Sequence, residues 1–459
     1  MEEGRPDFRN ADLRICLHSA GLLGETIVSD SQLRVGFGET DITPPHGLYM
    51  CGSLDPRRNE GTTDPLQSHA LVAECGGRRI AIAGVDLIGL PKELADKIIA
   101  EAARRTGIPS DAIMISCSHT HSGPYTAEGV YSSDVIDVNY LATLPERIAA
   151  SVDEAAGRME PASMHIGRSL VHHGIHNRRV ICPDGKALNT WMPQALNDLE
   201  YIPQVYGTAG PVDPEMWVVR FDRLDGSTLG VFYNYSLHTN SKGGTTWSAD
   251  YPCVVAEQLR EEYGPGVISV YTPGACADIN VTLGGVRWRE GATYFAEQAV
   301  DAARRAIPVD GPIAVSAIRR DITVPRRDPA DHSPEAIGRL NWGGAGGRAD
   351  VFDRQAELVA ALPEKWDVPV NAARIGPLAI ASNPGELFVE HGLSIKRRSP
   401  FPYTVVAELT NDLAMYQPTE AAFEQEGYEC LVGPNRIALE GVERIVDTAV
   451  ELVEELWNE

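Results

Sequence analysis

The 459-residue chain contains no apolar run of 18 or more residues, so no segment of it is suited to cross a bilayer as a helix. It also lacks clustered lysine and arginine. Its 40 basic side chains are set against 64 acidic ones, for a formal charge of −24, which opposes nucleic acid and anionic bilayers because phosphate contacts need concentrated positive charge. The eight cysteines (Cys16, Cys51, Cys75, Cys117, Cys182, Cys253, Cys276, Cys430) form no C-x-x-C pair. A cysteine zinc site and a disulfide scaffold are therefore not indicated, and most of these residues read as small buried hydrophobes. No period of 20 to 50 residues recurs, and the 43 glycines and 31 prolines are spread as turn punctuation. Without a linker, and with 43% hydrophobic residues, the expectation is one large domain or two closely packed halves. Residues 1–32 start acidic at Glu2 and Glu3, and His18 and Ser19 interrupt their apolar patch, which is unlike a secretion signal. They read as an N-terminal extension to a domain over 33–459, with a cytoplasmic location expected.

What is present is an alternation of strand-like and helix-like segments. Leu33–Phe37 alternates as a strand and runs into Gly38–Pro45, a turn that Pro44 and Pro45 keep from becoming helix. His69–Glu74 and Ile80–Leu87 form a hairpin about Gly76-Gly77. Pro91–Thr106 has a helix-starting proline and a closing Gly107. Strand Ile113–Cys117, a helix near Tyr140–Ala156 and a strand near Ser163–Val171 follow, then a long irregular segment to about Val212, of the kind that often binds ligands. Strands Trp217–Phe221 and Gly230–Leu237, helix Ala249–Tyr263, strand Val267–Tyr271, helix Ala292–Ala306 and strand Ile313–Val324 continue the pattern. A Gly-rich solvent loop, Gly343–Gly347, precedes strands Leu378–Ala381 and Thr404–Leu409, and helix Val442–Trp457 closes the chain. The fold class is α/β: a mixed β-sheet core with flanking helices in a single large domain.

Several of these strands end in side chains that can bind a metal: His119 and His121, His238, Asp278, Glu386 and, further on, Tyr416. Ends of strands in α/β sheets are where residues distant in sequence converge. Imidazole with carboxylate is a zinc-type set, and three protein ligands with an open position is its catalytic form. A His-x-His is expected by accident roughly one time in three at this histidine content, so the motif is weak alone. In an extended segment His119 and His121 share a face. Both then ligate one metal, or one ligates while the other meets substrate. A lone His238 is more often a packed core residue, Glu386 at a helix start is explained by the helix dipole, and Tyr416 by packing. A rival cluster, His172, His173 and His176, has helix-like spacing only for its last pair, with Gly174 between; Arg178 and Arg179 beside it suit an anionic or carbonyl group, or a solvated basic turn.

The motifs together resemble those of the neutral/alkaline ceramidase family. Ser118-His119-Thr120-His121-Ser122-Gly123-Pro124 is similar to the family signature, Gly38–Pro44 to its Asp-Ile-Thr turn, and Asn177-Arg178 to its Asn-Arg loop. Ser248–Pro252 resembles the segment after its second zinc histidine, Pro384-Gly385-Glu386 its Pro-Gly-Glu turn, and Tyr416 through Tyr428-Glu429 its tyrosine segment. Order and rough spacing hold from about Leu33 to the C-terminus. The resemblance implies a ceramidase catalytic-domain-like fold and a Zn2+ site of His119, His238, Glu386 and Tyr416. It implies His121 facing the substrate carbonyl or the metal-activated water, and Arg178 steadying the oxyanion. His121 and Tyr428 are the candidates for delivering a proton to the leaving amine. The chain departs from the family where Ala277–Thr282 carries Asn280 in place of a serine, and a catalytic domain without the C-terminal immunoglobulin-like domain of the larger ceramidases is expected. The expected activity is zinc-dependent hydrolysis of an N-acyl amide or related acyl bond by metal-activated water. The expected partner is a small acyl-amide substrate; nucleic acid and a transmembrane segment are not expected, and a homo-oligomer is left open. Two other readings are an amidohydrolase-like barrel acting on an ester, lactone or cyclic amide, with His119, His121, His238 and Asp278 as ligands, and a non-catalytic metal-binding homologue.

Overall fold

The computed structural model describes residues 32–53, 57–127, 135–190, 205–340 and 349–459. Nearly all of the expected extension and the whole of Gly343–Gly347 lie outside these residues.

The largest sheet begins with β1 (Arg34–Asp41), β2 (Gln67–Cys75) and β3 (Arg78–Val85), consecutive antiparallel neighbours. Helix α1 (Lys92–Thr106) carries the chain across to β4 (Ile113–Cys117), which lies parallel to β3. After α2 (Val138–Gly157), β5 (Glu160–Leu170) joins β1 through two residue pairs only, Arg34 with Pro161 and Val35 with Glu160. Two short strands, β6 (Ile175–Asn177) and β7 (Arg179–Ile181), lead to β8 (Glu215–Arg223) and β9 (Thr228–Tyr235), which extend the sheet beyond β5. Helix α3 (Tyr251–Tyr263) then delivers β10 (Ile268–Pro273) parallel to β9. The strand order is β10-β9-β8-β5-β1-β2-β3-β4.

At the narrow β1–β5 junction the sheet folds on itself, so that β10 packs over β2, β3 and β4. Outside the first half lies α2, so close that a Cβ on Gly36 would stand 2.0 Å from the Ala155 carbonyl oxygen. Only glycine admits a helix backbone at that range. Helix α4 (Trp288–Arg304), entered from the short strand β11 (Ile279–Val281), covers β5 and β8 on the other side.

A second sheet follows: β12 (Val315–Pro325), β13 (Lys365–Ile375), β14 (Leu378–Ser382) and, parallel to β14, the later strand β16 (Tyr403–Ala407). Between β14 and β16 come β15 (Glu386–Leu387) and α5 (Val389–Arg398). Beyond β16, β17 (Tyr416–Gln417) pairs with β15, and α6 (Leu439–Asn458) seals this sheet with buried Ile445, Ala449, Leu452 and Leu456. The sheets are joined where Cys117 donates to the Leu409 carbonyl (3.1 Å) and Asn411 to the Ile115 carbonyl (2.9 Å). Val315, Leu378 and Val405 share one apolar core with Phe37 and Ile115.

Two expectations are corrected. Gly38–Asp41 is strand, not turn, because these residues find partners in Gln67–Ala70. Lys365–Ile375 is a long strand that the apolar pattern does not announce.

Candidate metal centre

The sheets contain three parallel pairs, β3–β4, β9–β10 and β14–β16, and the carboxyl ends of all six strands supply groups to one place. His119 stands two residues past β4 in left-handed backbone (φ 65°), so the segment is not the extended one expected. Its N–H donates to the Leu87 carbonyl (2.9 Å), beyond β3. Positive φ also marks Asp250, Leu409, Asn411 and Met415, all in segments packed around this place. Such strained residues gather where surrounding structure imposes them.

Three imidazoles converge here. Nδ1 of His119 meets the Ile88 carbonyl at 2.7 Å, that of His238 the Cys276 carbonyl at 2.8 Å, and that of His121 the Gly52 carbonyl at 3.0 Å. A carbonyl only accepts, so each Nδ1 carries the hydrogen and each neutral ring presents its Nε2 lone pair inward. His119 Nε2 and His238 Nε2 stand 3.1 Å apart, and the ligand atoms of all three rings lie within 4.8 Å of one another. Ring nitrogens facing at that range need a metal ion or a proton between them. Glu386 Oε2 lies 3.2 Å from His119 Nε2 and 3.8 Å from His238 Nε2; it and His121 Nε2 are buried atoms with no hydrogen-bond partner. A nitrogen pair, a carboxylate oxygen and carbonyl-fixed tautomers are the donor chemistry of a zinc site.

The charges agree. Burial opposes the imidazolium form of His119, but Glu386 overrides it and raises the pKa. Burial holds His121 well below the usual histidine range, with the charges of His119 and Arg178 adding to it. His238 is pushed down in the same way, by burial and then by Arg178. Neutral rings at physiological pH are ligands or proton acceptors.

Arg178, between β6 and β7, reaches the same centre almost wholly buried. Its Nε donates to Glu429 Oε1 (2.8 Å) and its Nη2 to the Tyr416 hydroxyl (3.1 Å), while Nη1 lies 3.3 Å from His238 Nε2 and 3.4 Å from Asn280 Oδ1. Desolvation disfavours its charge, but Tyr416 and Glu429 more than restore it. Tyr416 faces Glu386 across the β15–β17 ladder, and the Tyr428 ring packs edge-on to it at 5.5 Å. Burial raises both phenols above their ordinary range. Asn280, in the position of the expected serine, accepts a second hydrogen bond from Asn240 (3.0 Å).

The rival cluster does not assemble. His176 bonds the Thr190 hydroxyl (2.9 Å) and His173 packs on Tyr294; among the described residues only His119, His121 and His238 form a histidine, cysteine and carboxylate group tight enough for an ion. Asp278 is no ligand either: one oxygen accepts the Val389 N–H that starts α5 (2.9 Å), the other accepts from Asn177 (2.7 Å), and burial raises its pKa to about 6. Asp278 therefore drops out of the alternative ligand set, whereas its three histidines, His119, His121 and His238, do stand together. Residues to which the sequence assigned no role complete the site. Glu429, fully buried, binds Arg178, Arg179 (2.9 Å) and Asn189 (2.5 Å). Gly52 (φ 79°) leaves space that a Cβ would take from the His121 side chain, 2.5 Å away.

No family model matches the chain. The neutral ceramidase of Pseudomonas aeruginosa is 24% identical over 223 residues, a match covering 46% of this chain and 31% of that protein. The crystal structure of neutral ceramidase from Pseudomonas aeruginosa superposes with a TM-score of 0.71 at 20% identity, covering 93% of this chain and 74% of that one. A structure described as ceramidase complexed with C2 gives 0.71 at 19% identity, covering 93% and 75%. The chain has the fold of these ceramidase structures, and among the described residues no helix is long and apolar enough to cross a membrane.

Proposed function

We propose that the chain is a zinc-dependent hydrolase that cleaves the amide bond of an N-acyl substrate, with His119, His238 and Glu386 as ligands and Tyr416 as a weaker oxygen ligand. The observation that carries this reading is the convergence of His119 Nε2, His238 Nε2 and Glu386 Oε2, buried and within 3.8 Å of one another. Zinc held there supplies Lewis acidity toward a carbonyl and makes water acidic enough to act as nucleophile at neutral pH.

The chain's own groups do the rest. Arg178, held by Glu429, presents a fixed guanidinium edge to the negative charge that develops on the substrate carbonyl oxygen. Because its donors need not reorganise, they favour the transition state over the ground state. His121 presents a neutral, unpartnered Nε2 and can take a proton from the attacking water. Return of a proton to the leaving amine falls to His121 or to Tyr428, which burial keeps protonated though as a weaker acid than a free phenol. The likeness to neutral ceramidase supports an acyl amide as substrate, and a lipid amide is the first to try.

The test is metal analysis of the purified protein followed by assay of the zinc-loaded form on a panel of N-acyl amides, esters and lactones that includes ceramides. One equivalent of zinc, with hydrolysis confined to or strongest on amides, is expected. Stoichiometric zinc without turnover of any panel member would overturn the enzymatic reading.

A further inference from the structure

We infer that Glu408 is a positioning residue that fixes the backbone behind all three principal ligands; this rests on the zinc reading above. Glu408 follows the last residue of β16 and is fully buried. Its Oε2 accepts the N–H of Leu387 (2.9 Å) and that of Cys276 (3.2 Å), and Oε1 lies 2.9 Å from Cys276 Sγ. Leu387 is the residue next to Glu386. The Cys276 carbonyl orients His238 through Nδ1. The main chain of Glu408 reaches further: its N–H donates to the Pro273 carbonyl (3.1 Å) at the end of β10, and its carbonyl accepts the Ser116 hydroxyl (3.0 Å) three residues before His119. One residue, at the end of β16 in the second sheet, thus ties the ends of β4 and β10 in the first sheet to β15.

The carboxyl makes no hydrogen bond to a ligand atom; beside a charge interaction with His119 and Glu386, it acts through backbone position. Without it, two buried N–H groups lose their acceptor, and the segments holding Glu386 and the Cys276 carbonyl shift toward other partners. Groups behind metal ligands typically change metal affinity about 10- to 100-fold when removed. Glutamine has the same shape and offers one oxygen that can accept both N–H groups.

The experiment compares Glu408→Ala, Glu408→Gln and, as a control for general destabilisation, Leu144→Ala in α2, a buried site in the outer layer. Zinc affinity is measured by competition with a chromophoric chelator, alongside the thermal midpoint, kcat and KM. Glu408→Ala is expected to bind zinc about 10- to 100-fold more weakly, Glu408→Gln to stay close to wild type, and Leu144→Ala to lower the midpoint while keeping wild-type zinc affinity. Zinc affinity of Glu408→Ala indistinguishable from wild type refutes the inference, as does an equal loss in Leu144→Ala. If Glu408→Ala does not fold, Glu408→Asp, which withdraws the carboxylate by one methylene, is judged by the same criterion. Failure of wild-type protein to bind zinc removes the metal reading itself; a zinc-binding, active wild type with an unaffected Glu408→Ala removes only the role of Glu408.

Discussion

Gly52→Ala separates the roles of the two histidines of the signature without substituting either. Gly52 has φ 79°, and a Cβ built there meets His121 Cβ at 2.5 Å and Cγ at 2.6 Å. Carbon atoms rest at about 3.5–4.0 Å, so the imidazole must retreat by about 1 Å, or the Gly52 segment must. Either movement breaks the 3.0 Å contact between His121 Nδ1 and the Gly52 carbonyl that fixes the ring tautomer. A displacement of about 1 Å in a reacting group costs roughly 100-fold in rate, and alanine in left-handed backbone adds about 1–2 kcal/mol of instability. The expected result is a kcat about 100-fold down with one equivalent of zinc retained, because His119, His238 and Glu386 are not displaced. Steady-state kinetics and metal analysis read the two effects separately. In a double-mutant cycle, Gly52→Ala adds little to His121→Ala, since both act through one ring. Full activity in Gly52→Ala, or losses that simply multiply, refutes the assignment of His121; loss of zinc moves His121 into the ligand set.

His119→Ala should lose zinc and activity together, whereas His121→Ala should keep zinc and lose turnover; equal metal loss in both contradicts the division. Glu429→Ala leaves the buried guanidinium groups of Arg178 and Arg179 without their shared carboxylate and should lower stability by about 3–5 kcal/mol, read as a shift in urea midpoint, with activity falling as Arg178 leaves Tyr416. Asp412 accepts the Lys92 N–H at the start of α1 (2.9 Å), and burial pushes its carboxyl up to about 7 from an ordinary value near 4. A carboxyl with a raised pKa contributes stability that is present below about pH 4 and is lost as pH rises toward 7. Asp412→Asn should therefore gain on wild type by up to about 4 kcal/mol across that window. Parallel stability curves for the two proteins, measured by urea unfolding from pH 4 to 8, would show that the carboxyl is not raised.

The candidate ligands were legible because strand periodicity ends abruptly in polar side chains. Ile113–Cys117 before His119, Gly230–Leu237 before His238 and Leu378–Ala381 before Glu386 are all apolar runs that stop at the site. What spacing cannot give is the partner across the fold. Glu429 lies 251 residues from Arg178, and Gly52 lies 69 from His121; each looks ordinary in its own segment. Asp278 was misread for the same reason, since its helix-capping role depends on Val389, 111 residues away. Strand β13 escaped because Pro369 and Asn371 interrupt its apolar pattern. The proline is tolerated there because β14 pairs only with Ala372–Ile375, leaving the Pro369 end open on that side. His119 was expected in extended backbone, but the neighbouring Leu87 and Ile88 carbonyls capture its N–H and its ring and turn it left-handed.

The positive-φ residues around the centre bear on how the molecule fails. His119, Asp250, Leu409, Asn411 and Met415 each hold a conformation costing about 1–3 kcal/mol, whereas the folded sheet beneath them is relaxed apolar packing. The expected outcome on warming is that this buried, strained layer yields in a local transition before the sheets melt, which activity and ellipticity followed in one thermal scan would check. Inactivation then runs ahead of unfolding, and the gap between the two temperatures measures the strain. Glycine at Leu409 or Met415 would narrow that gap by relaxing the backbone, at the risk of loosening the geometry on which turnover depends.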